Sequence, residues 1–481
     1  MPETLTDQFH FEWIYWVLVV AYAVTVLSVV GVMLSENRNP VKTLAWMTVL
    51  LVVPVLGLVL YLLFGRSIKN KQFMSRRRRR KLKRHEPASP FSPTETGLSA
   101  ESNQLIRLGQ SLMSAPFYQG NSATHFADGQ TKMDKLIDDI KKAKRFIYLQ
   151  YYIFQDDEIG SRLAELLIQK AREGLDVKVI YDHVGSFKTK RRFFKRMADA
   201  GIGVYPFFKV TFPILGTRIN WRNHRKIAII DGNIGYIGGM NIADRYVNGR
   251  KHGIWRDAHI RVEGPIVKSL NHSFAIDWNY SRQVDIRDVN RAFPSEHPDN
   301  WGMQLITSGP TGQWSNLLMM FQKAIGNAKH SVWIQTPYFL PSESLLRALQ
   351  SAALAKVDVR LMIPLNPDSA MLRYASFSFV KECLQSGIKV YLYQPGMLHS
   401  KMMIVDNELV TIGSTNFDFR SFEHNFEGNL FIYSQEFNRR MREQYLADQA
   451  ESRRVIPFEW QRRALSKKLL ESLTRIFSPI L

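Results

Sequence analysis

Two long apolar stretches stand near the start of the chain, ahead of any alternation between apolar and polar positions. Residues 13–34 and 43–64 each comprise 22 positions without a charged side chain. About 20 apolar residues in a helix cross the hydrocarbon core of a bilayer, so both stretches predict membrane helices. Together they predict a helical hairpin over residues 1–67, with a kink at Pro54. No Lys or Arg precedes the first stretch, which disfavours a cleaved signal peptide.

Positive charge is concentrated directly after the second stretch. Residues 66–84 contain eleven Lys or Arg, whereas residues 1–10 contain none. With two membrane helices the protein is predicted to be multi-pass. The positive-inside rule then predicts that the rest of the chain lies in the cytoplasm. An arginine run beside a membrane helix indicates contact with anionic head groups rather than a nucleic-acid tail. Residues 85–120 are rich in Pro, Ser, Thr and Glu and complete a predicted basic segment and linker over residues 68–120.

Beyond the linker, apolar runs alternate with amphipathic stretches, and the whole order occurs twice. Residues 141–154 and 326–339 each lead from a helix end into an apolar run that carries Gln at the same position. Strands that alternate with helices predict a mostly parallel sheet covered on both faces. The body is therefore predicted to consist of two related α/β domains, residues 121–300 and residues 301–450, that face each other across a pseudo-twofold axis.

The tail, residues 451–481, places apolar side chains at helical spacing. Leu465, Leu469, Leu473 and Ile476 form the apolar stripe, and Lys and Arg occupy much of the remaining surface. This composition is typical of a helix that lies at a membrane interface. A helix packed against the second domain has the same pattern, so the sequence leaves both interpretations open.

Composition narrows the class of partner. The net charge is +21 and the isoelectric point is about 9.9, which favours nucleic acid, an anionic membrane or a phosphorylated substrate. The single cysteine, Cys383, excludes an intrachain disulfide and makes a Cys-based metal site implausible. The sequence also lacks an H-E-x-x-H motif or Cys/His ligand spacing, so neither a metal nor a cofactor is predicted.

The clearest chemical signal is the pattern H-x-K-x4-D, which occurs twice. Residues two apart on a strand point to the same face, so each His and Lys are predicted to project together. Each Asp lies at an odd offset and opens a turn, which predicts an indirect role for it. The six motif residues are His224, Lys226, Asp231, His399, Lys401 and Asp406.

Polar residues that follow each motif complete a predicted phosphodiester site. The amides of Asn241 and Asn416 can donate to a phosphate oxygen. A carboxylate commonly orients an imidazole, and Asp257 and Glu427 are the candidates, although each could instead form a surface ion pair. One neutral His would attack phosphorus and the other would protonate the leaving oxygen.

The duplicated motif, with its trailing small residues and Asn, resembles the phospholipase D superfamily. The stretches ENRNPVKTLAWMTVLLVVPVLG, WIQTPYFLP and FRSFEHNFEGNL further resemble bacterial cardiolipin synthases. The resemblance implies a phosphatidyltransferase of the bacterial inner membrane that joins two phosphatidylglycerol molecules through a phosphohistidine and releases glycerol. It implies His224 as nucleophile and His399 as acid and then base. It places Asp231 and Asp406 in the active site and Ser414 at a phosphate-supporting position, where the first copy has Gly239.

Other functions fit parts of the sequence. A membrane phospholipase D or another phosphatidyltransferase would share every catalytic residue. A nuclease of the same superfamily is disfavoured by the membrane hairpin, so no nucleic-acid partner is expected. A lipid-binding scaffold is disfavoured by two intact motifs. The sequence does not determine the second lipid substrate, the acyl-chain preference or the oligomeric state.

Overall fold

A computed structural model describes residues 4–35, 40–61, 65, 97–210, 220–249, 253–282 and 297–478. The basic run at 76–84, the expected linker up to residue 96 and residues 62–64 of the second apolar stretch lie outside the described part. The chain divides into two compact units, one containing the N-terminal helices and the other containing the entire sheet.

The N-terminal unit contains one helix that is long and apolar enough to cross a membrane, at Glu12–Gly31, among the residues described. The second expected span is interrupted, because Pro54 begins a new helix after Val53. Proline lacks an amide hydrogen and its ring collides with the preceding turn, which kinks or breaks a helix, and here the helix breaks. The helices of this unit are α1 Thr4–Ser35, α2 Pro40–Val52 and α3 Pro54–Leu60.

The second unit holds two series of strands and helices, and the elements that the two series share occur in the same order. The first series is α4 Ala100–Met113, β1 Phe117–Phe126, α5 Gly129–Lys142, β2 Phe146–Tyr151, α6 Glu158–Arg172, β3 Asp176–Asp182, α7 Arg191–Asp199, β4 Gly203–Phe207, β5 Ile227–Ile230, β6 Ile234–Gly238, α8 Asp244–Asn248, β7 Ile254–Arg256, β8 His259–Glu263 and α9 Val267–Arg282. The second series is β9 Trp301–Ser308, α10 Asn316–Asn327, β10 Ser331–Gln335, β11 Phe339–Leu340, α11 Glu343–Leu354, β12 Asp358–Pro364, α12 Ala370–Ser378, α13 Val380–Gln385, β13 Lys389–Tyr393, β14 Gly396–Leu398, β15 Met402–Val405, β16 Leu409–Gly413, β17 Phe417–Asp418, α14 Phe419–Glu423, β18 Glu427–Tyr433, α15 Gln435–Ala450, β19 Ser452–Arg454, α16 Pro457–Gln461 and α17 Leu465–Ile476.

The expected linker is wrong from residue 100 onward, where α4 and β1 belong to the folded body. The Ser99 side chain caps α4 by accepting from the Ser102 amide, and Leu105 and Ile106 are buried. An N-cap serine followed by apolar residues on one helix face is enough to start and bury a helix. Composition averaged over the segment concealed that local pattern.

One sheet of fifteen strands runs through the whole body, in the order β19-β13-β12-β10-β15-β16-β18-β9-β1-β8-β6-β5-β2-β3-β4. The antiparallel β1–β9 pair stands at its centre. Outward from this pair, β8 corresponds to β18, β6 to β16, β5 to β15, β2 to β10, β3 to β12 and β4 to β13. The order of strands therefore has the pseudo-twofold relation that the sequence repeat predicts.

The expectation of a mostly parallel sheet is wrong. Within the large sheet only β2–β3–β4 and β10–β12–β13 run parallel, and the other neighbouring strands described are antiparallel. The cause is the tight turn at Asp231 and at Asp406. A connection of three residues, 231–233 or 406–408, can join only antiparallel strands, whereas parallel strands need a long crossover.

Apolar side chains cover both faces of the sheet. Tyr148 and Leu149 are neighbours on β2 and enter different clusters, because alternate residues of a strand face opposite sides. The Tyr148 cluster extends through both halves as far as Tyr445 on α15. Burial of each large apolar side chain contributes about 1.5–3 kcal/mol, so this shared core joins the halves into one body.

Candidate active site

The two motif histidines lie at the seam between the halves, and each is held by backbone from the opposite half. The His224 amide donates to the Phe426 carbonyl at 2.9 Å. The segment before the second motif is β14, which pairs with β7, and the His399 amide donates to the Arg256 carbonyl at 2.6 Å. Each histidine therefore takes its position only when both halves have folded together.

The carboxylates that orient the histidines are also exchanged between the halves. His224 Nδ1 lies 3.0 Å from Glu427 Oε1, and His399 Nδ1 lies 2.6 Å from Asp257 Oδ2. A carboxylate at Nδ1 favours the proton on that nitrogen and leaves the Nε2 lone pair free for chemistry. The two acidic residues that the sequence nominated thus form two histidine–carboxylate pairs in the structure.

The motif lysines are buried beside the histidines. The Lys226 ammonium donates to the His224 carbonyl, and the Lys401 ammonium donates to the His399 carbonyl. Burial lowers the pKa of Lys226 well below its ordinary value and lowers that of Lys401 to about 8, although nearby carboxylates oppose the shift. Two buried ammonium groups that lack full compensation attract an anion strongly.

Burial also shifts the pKa values of the two histidine–carboxylate pairs. It lowers the pKa of both imidazoles, and that of His399 falls well below the ordinary value because Lys401 adds repulsion. It raises the pKa of Asp257 to about 6. Burial acts on Glu427 in the same direction, but attraction to His224 and Lys226 outweighs it and the pKa lies below the ordinary value. Neutral imidazoles beside ionised carboxylates are therefore favoured near pH 7.

Both histidines open into one cavity of about 210 Å³. Asn241 and Asn416 line it, as the sequence predicts. The Asn241 amide nitrogen donates to the Tyr246 hydroxyl, and the Asn416 amide nitrogen donates to Asp418 at 3.0 Å. An amide nitrogen carries two hydrogens, so each Asn retains one for a phosphate oxygen.

Ser414 does not take the phosphate-supporting position that the resemblance implies. Its hydroxyl donates to the Glu427 carboxylate and accepts from the Gly428 amide at 3.1 Å. Its counterpart Gly239 has no room for a side chain, since an added Cβ would lie 2.1 Å from Asp257 Oδ1. The structural reason is that this position faces the orienting carboxylate in both halves.

Asp231 and Asp406 lie at the far ends of β5 and β15 from the histidines. The Asp231 carboxylate accepts from the amides of residues 144–146 at 2.7–3.0 Å, and Asp406 accepts from those of residues 329–331 at 2.8–3.0 Å. Both anchor the loop that leads into β2 or β10. The resemblance implies that both Asp residues belong to the active site, but the geometry places them away from it. Their contacts match the indirect role that strand parity predicts.

Several cavity residues were missed by the motif argument. Arg245 and Arg420 line the cavity, and each follows its motif Asn by four positions, a repeat that the sequence contains. Tyr152 places its ring edge-on to His224 with centroids 5.0 Å apart. Tyr338 also lines the cavity, but it lies three residues after the second repeated Gln, whereas Tyr152 lies two residues after the first. Extending the repeat comparison beyond the motif would have identified the two arginines but not the two tyrosines.

Two protein-family models match the sequence of this chain. A family model described as "Cardiolipin synthase, PLD-like domain" matches residues 136–278 and 321–448. A second, described as "Phospholipase_D-nuclease N-terminal", matches residues 14–66. The chain belongs to the cardiolipin synthase family of phospholipase D-like proteins. The expected superfamily and the expected phosphatidyltransferase class are confirmed by this membership and by the relatives below.

Individual relatives agree with the family match. A cardiolipin synthase of Listeria monocytogenes is 38% identical and the match spans 96% of this chain and 99% of that protein. The major cardiolipin synthase ClsA of Bacillus subtilis is 38% identical over 96% of this chain and 98% of its own. The crystal structure of phosphatidylserine synthase from Haemophilus influenzae covers 79% of this chain and all of its own, with a TM-score of 0.57 and 15% identity, a likeness of fold. Membrane association of the family agrees with the apolar helix α1.

Proposed function

We propose that this chain makes cardiolipin by transferring a phosphatidyl group from one phosphatidylglycerol to another. The observation that carries the proposal is the pair of histidines that face one cavity, each oriented by a carboxylate from the opposite half. A phosphodiester exchange needs one nucleophile and one acid that can reverse its role, and two such pairs supply both.

In the proposed first step, His224 Nε2 attacks the phosphorus of the first phosphatidylglycerol. The bond from phosphorus to the glycerol oxygen breaks, and His399 gives a proton to that oxygen. Burial lowers the pKa of this imidazole and keeps it neutral near pH 7, so it must take up the proton when the anionic phosphate binds beside it and favours the charged form. The new phosphorus–nitrogen bond makes the imidazole cationic. Glu427, whose pKa is held below its ordinary value, stays ionised and stabilises that charge. This contact favours His224 as the nucleophile.

In the proposed second step, a hydroxyl of the second phosphatidylglycerol attacks the phosphohistidine. Neutral His399 removes the hydroxyl proton, with Asp257 stabilising the imidazolium that forms. The phosphorus–nitrogen bond breaks, cardiolipin leaves, and His224 is restored. Transfer in place of hydrolysis requires that the lipid hydroxyl reach the intermediate ahead of water.

The phosphate would be held by the cations and amides around the cavity. Lys226 and Lys401 supply positive charge directly beside the histidines, while Asn241 and Asn416 supply further donors. Charge that builds on the nonbridging oxygens in the transition state is stabilised by groups already in place, which is the largest contribution in many phosphoryl transfers.

The membrane arrangement is also proposed. A second crossing would pass through the broken pair α2–α3, since proline breaks are tolerated in membrane helices. The basic residues at 66–84 would hold the body on the cytoplasmic side and contact anionic head groups. We place the division of the body at residue 300, between the two strand series. The first domain begins with β1 at Phe117 rather than at residue 121, and the second covers residues 301–450.

Mass spectrometry of lipids after incubation of the membrane-reconstituted chain with pure phosphatidylglycerol tests the reaction. We expect cardiolipin and free glycerol, and we expect His224→Ala and His399→Ala each to abolish turnover while membrane insertion is retained. Phosphatidic acid with glycerol would identify a hydrolase with the same site. Near-normal turnover in either variant would contradict the two-histidine mechanism.

A further inference from the structure

The C-terminal helix α17 turns its apolar face to the solvent. The exposed fractions of Leu465, Leu469 and Ile476 are 82%, 60% and 70%. Leu473 lies on the same stripe and is 49% exposed. Surface helices of globular proteins ordinarily bury such a stripe against the core and expose the polar face.

The polar face of α17 is the one that fastens it to the body. Glu471 is buried and binds Arg463 through two contacts, with Arg463 Nη2 lying 2.9 Å from Glu471 Oε2. Arg475 pairs with Glu382 on α13, and its guanidinium stacks 4.2 Å from the centroid of the Phe379 ring. These polar contacts set the rotation of the helix, so the outward position of its leucines is built into the fold.

The charge on the outer surface of α17 is positive. Its one acidic residue, Glu471, is buried and neutralised by Arg463. Lys467 is exposed beside the apolar stripe, and Lys468 is partly exposed. Exposed apolar side chains flanked by cations are the composition that binds the head-group region of an anionic bilayer.

The position of α17 connects this surface to the cavity. The helix packs along α12. Leu372 of α12 and Asp368, which precedes that helix, both line the cavity that contains the histidines. A bilayer that touches α17 is therefore one helix away from the site that takes a lipid substrate.

The corresponding part of the first half carries a second surface of the same kind. The segment after β3 corresponds to the segment after β12, and there Phe187 is 72% exposed. The four exposed cations that follow it are Lys188, Lys190, Arg191 and Arg192. The preceding Ser186 hydroxyl donates to the carbonyl of Tyr152, a cavity residue, at 3.2 Å.

We propose that α17 and residues 187–192 dock the body on an anionic bilayer, beside the cavity that opens to the substrate. This contact is additional to the N-terminal membrane helix. It brings the substrate surface to the site from both halves of the body. It does not depend on the reaction, so it can be tested in a chain that does not turn over.

Introduced cysteines report on the contact, because the native thiol is protected. Cys383 is buried, and burial raises its pKa to about 12, so it stays protonated and inaccessible. The test variants are Leu469→Cys and Phe187→Cys in the full chain, and Leu354→Cys, an exposed leucine of α11, is the matched control. Each carries an environment-sensitive fluorophore and is reconstituted into phosphatidylglycerol vesicles with brominated acyl chains.

We expect labels at 469 and 187 to lose about half of their fluorescence, because an interfacial face lies roughly 5–10 Å into the head-group boundary. The label at 354 should lose little. The same quenching should occur in the His224→Ala background, which separates this proposal from the proposed function. Labels at 469 and 187 that behave like the label at 354 would overturn it. A different result would indicate that α17 contacts a second copy of the chain instead of lipid. In that case the brominated lipid would not quench the label at 469, and the protection of this label from a water-soluble quencher would increase with protein concentration.

A catalytic readout supplements the fluorescence. The double change Leu469→Ser with Leu473→Ser removes exposed apolar area while the buried Glu471 contacts remain. We expect the apparent KM for phosphatidylglycerol in vesicles to rise about tenfold, with kcat unchanged and activity in detergent micelles unaffected. An unchanged KM in vesicles would contradict the docking role of α17.

Discussion

The two histidines are paired with carboxylates in unlike surroundings. Glu427 accepts from Ser414 and Asn425 as well as from His224, so its charge is well supported. Asp257 accepts from His399 and from the Ala258 amide at 2.7 Å. Burial raises the pKa of Asp257 to about 6, whereas the pKa of Glu427 stays below its ordinary value. The pseudo-symmetric halves are therefore chemically unequal.

We expect the pH dependence of kcat/KM to be bell-shaped. Below about pH 6, Asp257 becomes protonated and neutral, so it no longer stabilises the His399 imidazolium. Above about pH 8, Lys401 loses its proton and its attraction for phosphate, because burial lowers its pKa to about 8. Initial rates of cardiolipin formation across this range, extrapolated to low substrate, measure both limbs for the free enzyme.

The variant Asp257→Asn tests whether Asp257 causes the fall in kcat/KM below about pH 6. Asparagine does not titrate, so Asp257→Asn should be less active and should lack the limb near pH 6. A limb that persists in this variant would assign it to another group. A profile that is flat from about pH 5 to pH 9 would contradict both assignments.

Exchanging the small residues of the two motifs should have unequal effects. Ser414→Gly removes one donor to Glu427, and we expect kcat to fall about tenfold, as for the loss of one hydrogen bond to a charged group. Gly239→Ser places a Cβ 2.1 Å from Asp257 Oδ1 and must displace that carboxylate. We expect a loss of at least about 100-fold, since small misplacements of catalytic groups cost that much.

Steady-state kinetics and circular dichroism of both variants measure this difference. Retained secondary structure with the unequal losses would support the assignment of the position to carboxylate support. Equal losses in the two variants would show that the serine and glycine positions serve the same purpose after all.

At the scale of the element, each motif is a hairpin whose turn anchors another strand. Asp231 and Asp406 adopt left-handed backbone angles, with φ of 54° and 47°. Asp tolerates this conformation better than most residues, and its carboxylate then collects three amides from the loop before β2 or β10. The hairpin and the neighbouring parallel strand are thereby locked in register.

We expect Asp231→Ala to act on stability more than on catalysis. Loss of hydrogen bonds to a charged acceptor costs about 2 kcal/mol, which corresponds to a fall in Tm of about 2–3 °C for a cooperative body of this size. The kcat of the folded fraction should stay within a factor of about three, because the Asp lies away from the histidines. Differential scanning fluorimetry and kinetics at a low temperature separate the two effects.

Asp231→Asn is the matched control, since it keeps one acceptor oxygen and tolerates the same backbone angle. It should lose less Tm than the Ala variant. A complete loss of turnover in a well-folded Asp231→Ala protein would contradict the structural role and favour a catalytic one.

At the scale of the whole molecule, the active site belongs to neither half alone. The His224 pair takes its carboxylate from the second half, and the His399 pair takes its carboxylate from the first. The continuous sheet and the shared apolar cluster hold the halves in this relation. Folding of the body and assembly of the site are consequently the same event.

We therefore expect that vesicles containing both His224→Ala and His399→Ala chains remain inactive. Each variant chain forms its own cavity but lacks one of the two histidines. Two chains could restore a site with both histidines only by exchanging halves, which would require the shared sheet to unfold. Cardiolipin formation in mixed vesicles, compared with each variant alone, measures this. Recovery above a few per cent of normal turnover would indicate that halves from different chains combine into a site.

Short sequence patterns by themselves predict several features of this protein. Charge-free length predicted the first membrane helix, and the repeated H-x-K-x4-D pattern identified His224 and His399. Strand parity indicated an indirect role for the motif Asp residues, because side-chain direction on a strand depends only on sequence offset. Relations of this kind follow from backbone geometry over a few residues, and the family membership follows from the motifs they form.

Other features were decided only by the tertiary structure. Asp257 and Glu427 could be nominated from sequence, but their exchange between the halves depends on how two distant segments pair at the seam. The antiparallel core of the sheet, the role of Ser414 and the outward leucines of α17 depend likewise on contacts between residues far apart in the chain. The spacing of residues along a helix or strand determines which side chains lie on the same face. What that face contacts depends on how the element packs against the rest of the molecule.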